Sequence, residues 1–340
     1  MCRIQLTMKR MELSRPSPRA GIPQSLVGAL AIAAAFMGFV VWDQHRWWIL
    51  KEDYLFGWLV PVFVLYVFWE RRAIIAELIA GARPVETGRV WERVLDFFAG
   101  GLLTIGLLVF LMGAFYRAGE GLTQPGSLAI AVGFAGVVLG LAYFGVPGGM
   151  KTADSDSGLR GSVRARIAAL FLFPAFVWVI SAPLVSAFEN TLSSFLLKKV
   201  VTVVFFVFGM LGYPLVQEGN VLVLPTGSVG VADACSGIRS LTACLFTGSF
   251  LAAVFLDKLW KKVLLIGAAL LLAFATNLLR SLFLTSWAYM HGSDAIEGTV
   301  HDVTGFAVLA FTAIGLLLLL PLFDGRNWHR WIGEKAEVAE

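Results

Sequence analysis

Residues 263–288 read VLLIGAALLLAFATNLLRSLFLTSWA, and this stretch decides the class of fold. It is longer than the roughly 20 apolar residues a helix needs to cross a bilayer core. Its only charged residue is Arg280. A surface helix of a soluble protein would show one apolar stripe and one polar face, and this stretch shows no polar face. Outward from it the same pattern recurs. Runs at 24–42, 54–70, 94–116, 127–147, 167–188, 237–256 and 303–323 are each predicted to cross, which makes about eight spans. Composition points the same way. Hydrophobic residues make up 58% of the chain, mean hydropathy is +0.78 and charged residues are 15%, against about 25% in soluble domains. The expected fold is an all-α polytopic membrane protein.

One further apolar stretch, 192–213, decides the threading. It opens LSSFLLKKVVTVVFFVFGML, with Lys198 and Lys199 near its start. Cytoplasmic loops of membrane proteins collect Lys and Arg. If 192–213 does not cross, the basic groups at 3–19, 71–93, 151–166, 258–262 and 326–335 all fall on one side. If it crosses, the last two groups change sides. The stretch 189–213 is therefore expected to be an outer-face helix lying in the interface, with a re-entrant segment as the other possibility. Residues 220–234, NVLVLPTGSVGVADA, alternate β-branched and small residues around Pro225 and Gly227. A short β-hairpin is expected there, just before Cys235.

The domain reading follows. Residues 1–23 form a basic cytoplasmic tail, and 24–323 a single transmembrane domain with the outer-face helix and hairpin at 189–234. Residues 324–340 form a second cytoplasmic tail. The first apolar run continues too far for a cleavable signal peptide and reads as a retained anchor. The expected location is the inner (plasma) membrane, multi-pass, with both termini cytoplasmic. The formal net charge of +4 reflects loop placement, so no nucleic-acid partner is expected. Three cysteines, Cys2, Cys235 and Cys244, make no disulfide framework. No Cys/His set has zinc spacing, so neither metal nor cofactor is expected.

Three ionisable or nucleophilic residues stand at about the same depth on the expected outer face. Cys235 lies in ADACSGIRSL, where the hairpin meets the span 237–256. A thiol at a helix N-terminus feels the positive end of the macrodipole, which favours thiolate. Arg239 adds positive charge one turn on, and Gly237, after Ser236, lets a backbone approach closely. Arg280 lies in ATNLLRSLF inside a span, where ionisable groups are costly and usually functional. Asn277, three residues earlier on the same helix face, is placed to orient it. Snorkelling to the headgroups is the plainer reading of Arg280. His301 lies in EGTVHDVTGF before the last span, followed by Asp302. Histidine is the usual general base near neutral pH. His291 is a rival base, whereas His45 is flanked by Trp like an interface anchor and His329 is inside. A Cys, an Arg and a His together are the minimal set for acyl transfer.

These motifs resemble the exosortase/archaeosortase family of membrane cysteine transpeptidases. The resemblance rests on CSGIRS at 235–240 after the QEG of Gln217–Gly219, on Asn277 with Arg280, and on His301–Asp302 with Gly305. An early block, DYLFGWLVPVFVLYVFWERR, is also similar, and the likeness runs over roughly 40–323. The resemblance implies that Cys235, Arg280 and His301 form the catalytic set, with His301 at the third place as in the bacterial exosortase branch. It implies substrates that are membrane-anchored proteins with a C-terminal sorting tail: a Pro-Glu-Pro-like motif, a transmembrane helix and a basic cluster. Cleavage through a thioester would then pass the protein to an acceptor such as a glycan or lipid. One departure stands in the early block, where Tyr54-Leu55-Phe56-Gly57 replaces the family's common Tyr-Ser-His-Gly. The competing function class is a transporter or polysaccharide-assembly factor in which Arg280 binds an anionic substrate and Cys235 is incidental.

Overall fold

The computed structural model describes residues 22–84, 90–151, 161–225, 227–230, 238–256 and 258–323. Nearly all of the two expected tails lies outside the described residues. Among the described residues ten helices are present: α1 (Gln24–Leu50), α2 (Val60–Ala80), α3 (Val90–Glu120), α4 (Gln124–Phe144), α5 (Val163–Leu170), α6 (Leu172–Ser181), α7 (Ser186–Met210), α8 (Ile238–Phe255), α9 (Leu259–His291) and α10 (Thr299–Phe323). Two short 3-10 segments, Glu52–Leu59 and Ser293–Ile296, precede α2 and α10.

Among the described residues, seven helical stretches are long and apolar enough to cross a membrane: α1, α3, α4, α5 with α6, α7, α9 and α10. The chain is therefore an all-α polytopic membrane protein. The expected set of eight differs in membership. It included α2, whose second half carries Glu70, Arg71, Arg72 and Glu77, and α8, which is a shorter apolar helix, and it set α7 aside.

Two expected spans are corrected. The span at 54–70 starts later, at Val60, because residues 52–59 wind as the 3-10 segment. Pro61 stands in the first turn of α2, where its missing N–H would have no helical partner anyway. The span at 167–188 is broken at Phe171. Pro174 has no N–H to offer the carbonyl of Leu170. The guanidinium of Arg71 takes that carbonyl instead through Nη1, and donates from Nη2 to the Ala253 carbonyl at 2.7 Å in the last turn of α8. One buried cation thus satisfies carbonyl oxygens left open at two helix ends.

The expected hairpin is a three-stranded antiparallel sheet. β3 (Val216–Glu218), β4 (Val221–Leu224) and β5 (Gly227–Gly230) pair in that order, with Gln217 opposite Leu222 and Leu222 opposite Val229. Gly219 turns β3 into β4 with φ of 63°, a left-handed conformation that glycine adopts without strain. A second pair, β1 (Arg83–Pro84) with β2 (Met150–Lys151), lies at the opposite end of the bundle.

Helices α3 and α4 pack backbone to backbone. A Cβ on Gly133 would stand 2.3 Å from the Phe110 amide nitrogen, and one on Gly106 would stand 2.9 Å from the Gly133 carbonyl oxygen. Small residues at such contacts let membrane helices gain dispersion that apolar side chains facing lipid cannot supply. A buried ion pair, Arg117 Nε to Asp43 Oδ1 at 2.9 Å, joins α1 to α3. The bundle end at Lys51 gathers the 3-10 segments, the β3–β5 sheet, the end of α9 and the start of α10. Both ends of α7 make contacts here. Glu189 accepts from Lys51 at 2.7 Å and from Gln124 at 3.1 Å, and the Phe208 ring lies 6.2 Å from that of Tyr289.

Candidate active site

At the Lys51 end a cavity of about 710 Å³ opens between the 3-10 segment 52–59, α8, α9 and α10. Four elements contribute, and the local sequence explains how each is held. The 3-10 segment is clamped to α8. Thr242 donates from its hydroxyl to the Asp53 carbonyl at 3.0 Å. The Phe56 ring stacks on Phe246 at 5.1 Å, and Phe63 of α2 stacks on Phe246 and Phe250 at 5.4 and 4.2 Å. Within the segment, Tyr54 and Gly57 are fixed by packing. Tyr54 is fully buried, its hydroxyl accepts from the Leu184 amide at 2.9 Å, and burial pushes its pKa up to about 12. A Cβ on Gly57 would meet the Trp48 indole at 2.2 Å. The two residues between them, Leu55 and Phe56, line the cavity.

Arg280 enters from α9. It donates from Nη2 to the His301 carbonyl at 3.0 Å and from Nε to the Thr304 hydroxyl at 3.3 Å. Gly305 leaves room for it: a Cβ there would lie 3.5 Å from Nη2. The guanidinium therefore lies against α10 at Gly305, a position without a side chain. It borders both this cavity and a second, apolar one of about 550 Å³ between α9 and α10, lined by Leu279, Phe283 and Phe311 among others. Among the described residues no carboxylate forms an ion pair with Arg280. Its hydrogen-bond partners among the described residues are neutral oxygens that hold the plane.

His301 lines the same cavity, one-third exposed, with Nδ1 at 3.5 Å from Asp302 Oδ1. That distance is at the outer limit for a hydrogen bond, and Asp302 is 72% exposed. The rival base is elsewhere. His291 stacks on Trp287 at 4.3 Å, approaches the Trp287 carbonyl and does not reach the cavity. His45 lies half-buried with Nδ1 at 2.7 Å from the Trp42 carbonyl oxygen.

Cys235, Ser236 and Gly237 lie outside the described residues, as does the side chain of Arg239. The helix that follows them, α8, begins at Ile238, and its Ala243 is part of the cavity wall. Cys244, the next residue, is buried on α8 and faces Thr312. Asn277 was expected to orient Arg280. It is buried three residues before Arg280, but the contacts that orient the guanidinium come from α10. Thr304 was not singled out from the sequence. Its signal was available: it follows His301 by three residues and so shares a face with it at the start of α10. Glu52 and Asp53, which border the cavity, gave no such signal. Among the described residues no group of three or more His, Cys, Asp or Glu is arranged to hold a metal.

Residues 47–319 match the family model described as transmembrane exosortase (Exosortase_EpsH). No curated protein and no solved structure matches the chain.

Proposed function

The chain belongs to the transmembrane exosortase family, and on that premise we propose that it is a cysteine peptidase or transpeptidase. Its substrates are membrane-anchored proteins carrying a C-terminal sorting tail like the Pro-Glu-Pro type. The observation that carries this reading is the shared cavity of Arg280 and His301, walled also by Ala243 of the helix that follows Cys235. Cys235 stands three chain steps before Ile238, which limits its backbone to about 11 Å from the helix start. The reading places the reaction at this cavity.

The steps follow from the chemistry of the three groups. His301 takes the thiol proton, and the Cys235 sulfur attacks the carbonyl carbon of a peptide bond in the tail. The carbonyl oxygen gains charge as the tetrahedral intermediate forms. Arg280, held by neutral acceptors, supplies a positioned cation for that oxygen. The C–N bond then breaks, and His301 returns the proton to the leaving amine. A thioester links the substrate to Cys235 until a hydroxyl or amine of an acceptor, a glycan or lipid, gives its proton to His301 and attacks the thioester carbonyl; the C–S bond breaks and the departing thiolate takes the proton back. Supporting roles fall to Arg239 and the helix start in stabilising thiolate, and to Asp302 beside His301. In this reading α7 lies on the outer face of the inner (plasma) membrane, both termini are cytoplasmic, and the cavity opens outward.

The test is co-expression with a tailed candidate substrate. Processing that depends on Cys235, Arg280 and His301 together supports the reading. Processing that survives Cys235→Ala returns the protein to the transporter or assembly-factor class.

A further inference from the structure

The cavity lining is chemically mixed. Arg280, His301 and Asp302 border it together with the apolar side chains of Leu55, Phe56, Phe306 and Leu309. Leu55 and Phe56 are the two residues between Tyr54 and Gly57, which packing fixes in place. Phe56 cannot swing aside readily, because its ring is stacked on Phe246 at 5.1 Å and lies 6.4 Å from Tyr54. Leu55, in contrast, is 59% exposed. The volume, about 710 Å³, is within the roughly 300–1,000 Å³ typical of ligand pockets.

We infer that Leu55 and Phe56 form a side-chain subsite that selects an apolar residue of the substrate beside the bond that Cys235 attacks. This rests on the peptidase reading. The physical reason is one-sided. Neither side chain offers a hydrogen bond or a charge, so a polar or ionised substrate residue placed against them loses water and gains nothing. An apolar residue gains burial at roughly 25 cal/mol per Å². The rigid ring sets the shape of the subsite and Leu55 its rim.

Two measurements on the full-length chain in membranes test this. In the first, Phe56 is replaced by the photoreactive analogue p-benzoylphenylalanine in a Cys235→Ala background, with a tailed substrate co-expressed. Irradiation is expected to join position 56 to substrate residues flanking the scissile bond. In the second, with Cys235 intact, processing is compared for tails carrying Leu or Asp beside that bond. Leu55→Arg is expected to raise the Asp-to-Leu rate ratio at least about tenfold, within the range that single pocket contacts supply. An unchanged ratio with no crosslink to the tail overturns the subsite, even when Cys235-dependent processing proceeds. A crosslink at the tail motif without any Cys235-dependent cleavage supports the subsite and sinks the peptidase reading instead.

Discussion

Arg280 Nη2 lies 3.0 Å from the backbone carbonyl oxygen of His301, so the cation of α9 is tied to the chain position that carries the imidazole of α10. With Thr304 accepting from Nε at 3.3 Å, two sides of the guanidinium are engaged by neutral oxygens. A lysine has one charged nitrogen and no such fork. Arg280→Lys is therefore expected to keep the charge and lose the geometry. Processing of a tailed substrate should fall roughly 100- to 1,000-fold, the range seen for loss of one oxyanion donor. Retention of more than half the wild-type rate would mean that Arg280 acts only as a diffuse positive charge.

Gly305 should tolerate a methyl group and nothing larger. The Cβ of Gly305→Ala would sit in ordinary contact, 3.5 Å from Arg280 Nη2, so expression and processing are expected to stay near wild type. Gly305→Leu would push into the guanidinium, costing about 1–3 kcal/mol as overpacking does, and should abolish processing with most of the protein still folded. Equal behaviour of the two variants contradicts this placement of Arg280.

His301 and His291 should separate cleanly. His301→Ala removes the only histidine among the described residues that lines the cavity, and a drop of roughly 100- to 10,000-fold is expected for loss of a general acid–base. His291→Ala loses a surface stack on Trp287 and should leave processing unchanged. The reverse pattern, read from the same substrate assay, would assign the base to His291.

Gly57→Ala tests the clamp that presents the early block. Its Cβ would overlap the Trp48 indole at 2.2 Å, and Trp48 is buried and bonded to the Ser181 carbonyl. Destabilisation of about 1–3 kcal/mol is expected, visible as a lower melting temperature of the detergent-solubilised protein. An unchanged melting temperature would show that the segment 52–59 is free to move.

The membrane class was legible from Val263–Ala288 and its sister runs, because a long apolar helix needs only local composition to be recognised. The depth shared by Arg280 and His301 was legible for the same reason. Their meeting was not, since it depends on how α9 packs on α10 and on Gly305 leaving the gap. Asn277 was a reasonable partner for Arg280 by helical spacing, yet tertiary packing supplied Thr304 and a carbonyl from the neighbouring helix. The break at Phe171 was signalled by Pro174, but the compensating cation, Arg71, is distant in sequence. Leu55 and Phe56 stood out only as a departure from the family's Tyr-Ser-His-Gly. Their place on the cavity wall needed the clamp of Tyr54, Gly57 and Phe246 to become visible.

The most direct test of the central claim is mass spectrometry of a co-expressed tailed substrate, comparing its C-terminus with Cys235 intact and with Cys235→Ala. The account expects a new C-terminus, free or joined to an acceptor, within the sorting motif when Cys235 is present, and the full-length tail when it is replaced. The same new C-terminus in both samples would contradict it.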